Sequence, residues 1–380
     1  MLGDTRGIRD TTATGVSLEL PAIAQKIGTL NPDLVMVAGD LVNGNDVPAA
    51  SALNNYALQF DNWKAAMQPV FNYSTNTGIP IYTVRGNHEN MCSEGAPIAD
   101  LKQAYYDAFH TYLPTNGPIN SKDDNQVGFS YSFTHNSVTF VAADQYFYYD
   151  AASLDGYHSL DQTWVSNQFA ASSSTFKVLM AHVPVFQTEG GGETEHFFGD
   201  DTTGNITRSD FWNTMGADGV QLYLCGHVHN ESVATTPIPD GGTILQLMAG
   251  NGGAAPPDPI GDQPEPGVDV LHTSDKFGFS LATVGADAMT IQYFSLNTDD
   301  NSWSIAAYTT VLVPEPSSAC LLASGLTVLI SACLCKFRRN RLGLITSGGR
   351  RAQGAATTRR FCHSPPRVEI SCALEAEPSG

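Results

Sequence analysis

Apolar residues recur at helical spacing through VSLELPAIAQKIGTL (16–30), and Asn-Pro-Asp at 31–33 ends the repeat. The next run, LVMVAGD (34–40), is short, unbroken and closed by a carboxylate. That is the pattern of a buried strand delivering Asp40 to a loop. The same design returns in IPIYTVRGNHE (79–89), KVLMAHVPVF (177–186) and GVQLYLCGHVHN (219–230). Helices are predicted over 49–68, 98–110, 160–172 and 208–217, and GFSYSFTHNSVTFVAAD (128–144) reads as a hairpin turning at His135-Asn136. Strands are predicted near 243–249, 277–284, 288–296 and 303–312, after a Gly/Pro-rich loop at 250–267. The order is α/β with added β-hairpins, one domain over 1–312. The opening MLGDTRG also has the look of a strand end, yet only Met1 and Leu2 precede its Gly-Asp.

The C-terminal pattern is different. VPEPSS precedes an apolar run over 319–335, and Lys336, Arg338, Arg339 and Arg341 follow it. At 1.5 Å per residue the run reaches about 25 Å, enough for a short bilayer span. The basic cluster predicts a cytoplasmic end and a body on the other side, with the membrane as partner through 319–335. Residues 342–380, rich in Gly, Ser, Arg and Pro, read as a disordered basic tail.

Charge sharpens this division. The net charge of −19 is the sum of a basic tail, with nine Lys/Arg and three Asp/Glu from Lys336 onward, and a strongly acidic body. Such a body is not expected to present a nucleic-acid-binding surface. It does not oppose divalent cations. Seven cysteines without a CxxC pair form neither a disulfide framework nor a thiolate metal site.

The candidate chemistry lies at the strand ends: Asp4, Asp40, Asn87, His88, His182, His227 and His229. In open α/β sheets, ligands bind beyond the carboxyl ends of the strands, where these groups converge. Two carboxylates, an amide oxygen and imidazoles form a mixed N/O set suited to Zn, Mn or Fe. In HVH, residues two apart on an extended segment face the same way, so His227 and His229 are expected to point together. Singly, each residue has an ordinary reading: a turn aspartate, a capping asparagine, a hydrogen-bonded histidine. The ordered set is what is specific.

That set, GDTRG, GDLVNG, GNHE, the Ala-His at 181–182 and GHVH, resembles the calcineurin-like metallophosphoesterases, and MAGNGGAAP resembles the loop that follows in purple-acid-phosphatase-like members. The resemblance implies a four-layer α/β/β/α sandwich with two mixed sheets, followed here by a single C-terminal transmembrane-type helix. It implies a dinuclear centre of two divalent or trivalent ions (Fe, Mn or Zn) acting on a phosphomonoester or phosphodiester. Carried over, Asp40 bridges the ions, Asn87, His182 and His227 complete one site, and Asp4 and His229 hold the other. His88 stands beside the scissile phosphate as a candidate catalytic residue.

Two positions depart from the family. Arg6 stands where the first motif usually carries a histidine. It cannot ligate a cation, and it is a candidate catalytic residue that pairs either with a substrate phosphate or with a carboxylate of the body. Asn43 stands where purple acid phosphatases place a tyrosine, and where other relatives keep an aspartate that orients the catalytic histidine. The alternative reading is a weakened or inactive phosphoesterase fold serving as a surface or matrix binding protein. The C-terminal VPEPSS, apolar span and arginines resemble the PEP-CTERM sorting signal of Gram-negative and related bacteria. That signal implies export, a sorting or processing enzyme as partner, and a true start upstream carrying a signal peptide and the rest of the first strand. The acidic, glycine-rich loop 187–207 reads either as a surface loop or as a lid carrying His196.

Overall fold

Leu20, Ile23, Ala24 and Ile27 form the buried stripe of the first helix, α1 (Leu20–Leu30). Asn31 closes that helix in the left-handed conformation, φ 50°, with its N–H on the Ile27 carbonyl. The structure, a computed structural model, describes residues 1–7, 13–47, 51–90, 98–119, 125–146, 160–188, 208–254 and 264–312. After α1 come β1 (Val35–Val37), a 3-10 turn at Ala52–Asn54, α2 (Tyr56–Ala66), a small hairpin of β2 (Phe71–Asn72) and β3 (Thr77–Gly78), and β4 (Ile81–Thr83). The helix predicted over 49–68 is shorter than expected. Ser51 caps the 3-10 turn by accepting the Leu53 N–H, and Asn55, at ψ 95°, leaves the helical path before Tyr56.

The chain continues through α3 (Ala99–Phe109), the hairpin of β5 (Tyr131–His135) and β6 (Val138–Ala142), α4 (Gln162–Ala170), β7 (Phe176–Met180), α5 (Arg208–Ala217) and β8 (Leu222–Cys225). Then follow β9 (Glu231–Pro237), β10 (Thr243–Ala249), β11 (Asp269–Ser274), β12 (Gly278–Val284), β13 (Ala288–Asn297) and β14 (Ser302–Leu312). A seven-stranded mixed sheet runs β11-β9-β10-β8-β7-β6-β5, with β6, β7, β8 and β10 parallel and the outer strands antiparallel. β1 pairs in parallel with β4, and β12-β13-β14 form an antiparallel sheet.

Strands β9 and β11 were not legible in the sequence pattern. ESVATTP is polar, and its Glu231, Ser232 and Thr236 are buried only because β9 lies between two partners. Met1 and Leu2, too few for a strand, nevertheless join two sheets. Leu2 donates to Met36 O (2.9 Å) and accepts from Ala38 N (2.8 Å), while Met1 and Ser280 of β12 exchange bonds of 2.8 and 3.0 Å.

Period-2 alternation divides the large sheet between two apolar clusters. Val178, Met180, Leu222 and Leu224 pack with α1, α2, α3, β1 and β12–β13. Leu179, Ala181, Tyr223 and Cys225 pack with Val165 and Phe169 of α4 and with Phe211, Trp212 and Met215 of α5. Each fully buried side chain of this size contributes about 1.5–3 kcal/mol, so the sheets are held firmly where their strands end. The segment 313–341 read as a sorting signal, its apolar run and the tail 342–380 lie outside the described residues, as does most of the loop 187–207. Among the described residues no helix is long and apolar enough to cross a membrane.

Candidate metal centre

Every strand-end residue singled out in the sequence reaches one place. Asp4 follows the Leu2 bridge, Asp40 follows β1, Asn87 and His88 form a 3-10 turn after β4, His182 follows β7, and His227 and His229 follow β8. Among the described residues seven non-glycine positions have positive φ. Four are asparagines, and the other three are Asp4 (53°), Asp40 (50°) and His227 (74°). The left-handed conformation is costly for such residues, and it concentrates here, where the backbone turns abruptly to aim a side chain inward. Two glycines make room: a Cβ at Gly86 would collide with the Asp40 carboxylate, and one at Gly226 with that of Asp4.

One group of donor atoms centres on Asn87. Its Oδ1 lies 3.0 Å from His182 Nε2 and 3.1 Å from His227 Nδ1, and His182 Nε2 lies 3.5 Å from Asp40 Oδ1. His182 gives its Nδ1–H to the Ala38 carbonyl at 2.7 Å, which leaves Nε2 as an acceptor when the ring is neutral. Burial pushes the His182 pKa down to about 4, so near neutral pH the ring is uncharged. Nε2 of His182 therefore faces Oδ1 of Asn87 and Oδ1 of Asp40 with no hydrogen between them, while Asp40 Oδ1 accepts the His88 backbone N–H at 3.0 Å from another side. A bound cation resolves that arrangement, and the donor set suits one.

The second group is Asp4, Asp40 and His229, each offering one atom within 4.8 Å of the others. Asp4 Oδ2 accepts the His227 N–H at 2.9 Å, whereas Asp4 Oδ1 is buried without a hydrogen bond, 3.9 Å from His229 Nε2. Arg6 enters this group: its Nη2 is 3.1 Å from His229 Nε2 and its Nε is 3.4 Å from Asp40 Oδ2. Burial and the Asp40 charge push the Asp4 carboxyl well above its ordinary range. Burial acts the same way on Asp40, but His88, His182 and Arg6 outweigh it and hold that carboxyl low. Burial and Arg6 push His229 well down.

Residues 3–231 match the family model of the calcineurin-like phosphoesterases. The chain belongs to the calcineurin-like phosphoesterase family. No curated protein matches it. Among solved structures it is similar to the purple acid phosphatase PPD1 of yellow lupin (Lupinus luteus) seeds, with 18% identity and a TM-score of 0.55 over 82% of this chain and 52% of that one. It is similar to PhoD (13% identity, TM-score 0.52, 80% of this chain and 69% of that one). It is also similar to GAP50, the anchor in the inner membrane complex of Plasmodium (13%, 0.50, 83% and 88%). At these identities the likeness is one of fold, and the chain spans about half the length of the lupin protein.

Within this phosphoesterase fold, one sequence expectation needs correction. HVH is not extended: β8 ends at Cys225, His227 has positive φ, and the Val228 and Asn230 N–H groups each bond a carbonyl two residues back. The two imidazoles therefore meet the site by different atoms, Nδ1 of His227 and Nε2 of His229. Asn43 does orient His88, but through its backbone: the carbonyl accepts His88 Nδ1–H at 3.1 Å, leaving Nε2 3.8 Å from Asp40 Oδ2. Of the two roles open to Arg6, the structure shows the carboxylate partner, Asp40.

Several supporting residues escaped the sequence reading. Glu89, the last residue of GNHE, accepts four backbone N–H groups, from Asp40 (2.9 Å), Leu41 (2.7 Å), Val42 (3.0 Å) and Gly86 (2.8 Å). It clamps the Asp40 loop to the Asn87 turn. Gln145 Oε1 accepts the N–H groups of His182 (2.6 Å) and Val183 (2.7 Å). Arg85 forms a fully buried two-point pair with Asp144 (2.7 and 3.1 Å) and reaches Asn90 Oδ1 at 3.0 Å. Glu89 ends the GNHE motif and Arg85 immediately precedes it, which was the available signal. Asp144 closes the apolar run 138–144, but its partner Arg85 is remote in sequence, and Gln145 had no local signal.

Proposed function

We propose that this chain is an exported, metal-dependent phosphoester hydrolase whose reaction takes place between the Asn87 and Asp4 donor groups. The observation that carries this reading is the convergence of His182 Nε2, whose hydrogen is on Nδ1, with Asn87 Oδ1 and Asp40 Oδ1, so that no hydrogen lies between the imidazole nitrogen and either oxygen. Asp40, Asn87, His182 and His227 would hold an ion (Fe, Mn or Zn), and Asp4 and His229 belong to the half where the family resemblance implies a second. When bound, such an ion would supply Lewis-acid polarisation of a phosphoryl oxygen and a lowered pKa for a water.

The remaining work falls to the chain. His88, fixed by Nδ1–H to Asn43, turns Nε2 toward Asp40 and the space a phosphoryl group would occupy. From there it supplies a proton or positive charge to the departing oxygen. Arg6, as a fixed cation, attracts phosphoryl oxygens. The substrate is a phosphomonoester or phosphodiester. A screen of both ester classes with added Mn²⁺, Zn²⁺ or Fe²⁺, on the chain and on Asn87→Ala, tests this; hydrolysis by the chain and its loss in the variant are expected. Binding without hydrolysis, insensitive to Asn87→Ala, would favour the surface-binding reading, which draws on the intrusion of Arg6 among the donor atoms.

Export, membrane contact through 319–335 and cleavage by a sorting enzyme are proposed from the segment 313–341 and its resemblance to PEP-CTERM signals. Cell fractionation of the chain with and without that segment tests them. A body retained in the cytoplasm in both cases would remove this part of the proposal.

A further inference from the structure

Arg6 and His229 set the capacity of the centre. We infer that the Arg6 guanidinium is a built-in cation in the Asp4 half, and that the centre therefore binds one metal ion rather than two. The inference rests on the metal-dependent reading and concerns the same site. Of the three residues in the Asp4 half, Arg6 meets two: its Nη2 hydrogen-bonds His229 Nε2 at 3.1 Å, and its Nε forms an ion pair with Asp40 Oδ2 at 3.4 Å without a hydrogen bond. A guanidinium nitrogen bears hydrogens and no available lone pair, so His229 Nε2 spends its lone pair accepting from Arg6 and Arg6 cannot become a ligand. The guanidinium is tethered there. Its backbone N–H donates to the Asp40 carbonyl at 3.0 Å, and Arg6 bridges Val16 on the other side, so the stem leaves from a fixed point.

Charge points the same way. Asp4 and Asp40 are the carboxylates of the two donor groups, and both are buried. Arg6 neutralises one of these charges, and one dication in the Asn87 half more than covers the other. A second dication would meet a permanent positive charge at contact distance, in a buried site whose other ligands are neutral imidazoles and an amide. Among the described residues no guanidinium enters the Asn87 half: its four donors face each other, and the one hydrogen bond that Asp40 Oδ1 takes there is from the neutral His88 backbone N–H at 3.0 Å.

The test is metal stoichiometry on the full-length chain, loaded with excess Mn²⁺ and freed of unbound ion, read by elemental analysis and by electron paramagnetic resonance. The expected result is one equivalent with the six-line spectrum of an isolated Mn²⁺. In Arg6→His, which restores a ligand nitrogen and removes the fixed charge, two equivalents and an exchange-coupled spectrum are expected. Two equivalents in the unaltered chain would overturn the inference while leaving metal dependence intact. One equivalent in a folded Arg6→His chain would overturn the role given to Arg6. No bound Mn²⁺ in a folded, unaltered chain would defeat the metal-dependent reading itself, and this inference with it.

Discussion

Glu89 Oε2 accepts the backbone N–H of Asp40 at 2.9 Å, so the residue that ends GNHE fixes the carboxylate donor 49 positions earlier. Burial and the Asp40 charge push the Glu89 pKa up, while its four N–H donors favour the carboxylate. Only a carboxylate can accept from all four. Glu89→Gln places an amide N–H₂ against backbone donors and leaves at least one of them unpaired, at about 1–3 kcal/mol each. A fall in Tm of several degrees and weaker Mn²⁺ binding are expected by calorimetry. An unchanged Tm would show that these bonds do not hold the loop.

The Arg85–Asp144 pair is completely buried, so removing one partner strands a charge. Asp144→Asn is expected to cost about 3–5 kcal/mol in denaturant unfolding. Replacing both residues with apolar ones of similar size should cost less than Asp144→Asn alone. Equal losses would mean that packing, not charge, accounts for the effect.

His88 is held by a carbonyl rather than by a carboxylate, so removing it should affect chemistry more than stability. His88→Asn is expected to lower kcat about 10²–10⁴-fold, with Mn²⁺ stoichiometry and Tm close to those of the parent. A loss confined to KM would assign His88 to substrate binding alone.

A metal ion that binds only the folded chain must stabilise it. At 100 times its Kd the gain is about 2.7 kcal/mol, visible as a rise in Tm on adding Mn²⁺ and its reversal by a chelator. Asn87→Ala should abolish the rise. If the variant rose as much as the parent, the ion would be binding elsewhere.

The strand ends were legible because each is a short apolar run closed by a small residue, Gly39, Gly86 or Ala181, and then a polar one; Asp40, Asn87 and His182 fall where that pattern put them. Less was legible where tertiary pairing overrides local character. Glu231, Ser232 and Thr236 are polar and fall in no predicted element, yet pairing on both sides makes them a buried strand. HVH led to the site through an extended geometry it does not have, because positive φ at His227 turns the chain there. Arg6 could be seen to replace a ligand. That it reaches His229, 223 residues away, depends on the joining of sheets by Met1 and Leu2, which no local pattern encodes.

The central claim is metal-dependent ester hydrolysis at the Asp40–Asn87–His182–His227 group. The most direct measurement is hydrolysis of p-nitrophenyl phosphate and bis(p-nitrophenyl) phosphate by chelator-stripped protein, before and after Mn²⁺, Zn²⁺ or Fe²⁺ is restored. The account predicts no turnover when stripped, recovery with at least one ion, and no recovery in Asn87→Ala. A folded, metal-loaded chain that cleaves neither ester, or turnover that survives stripping, would contradict it.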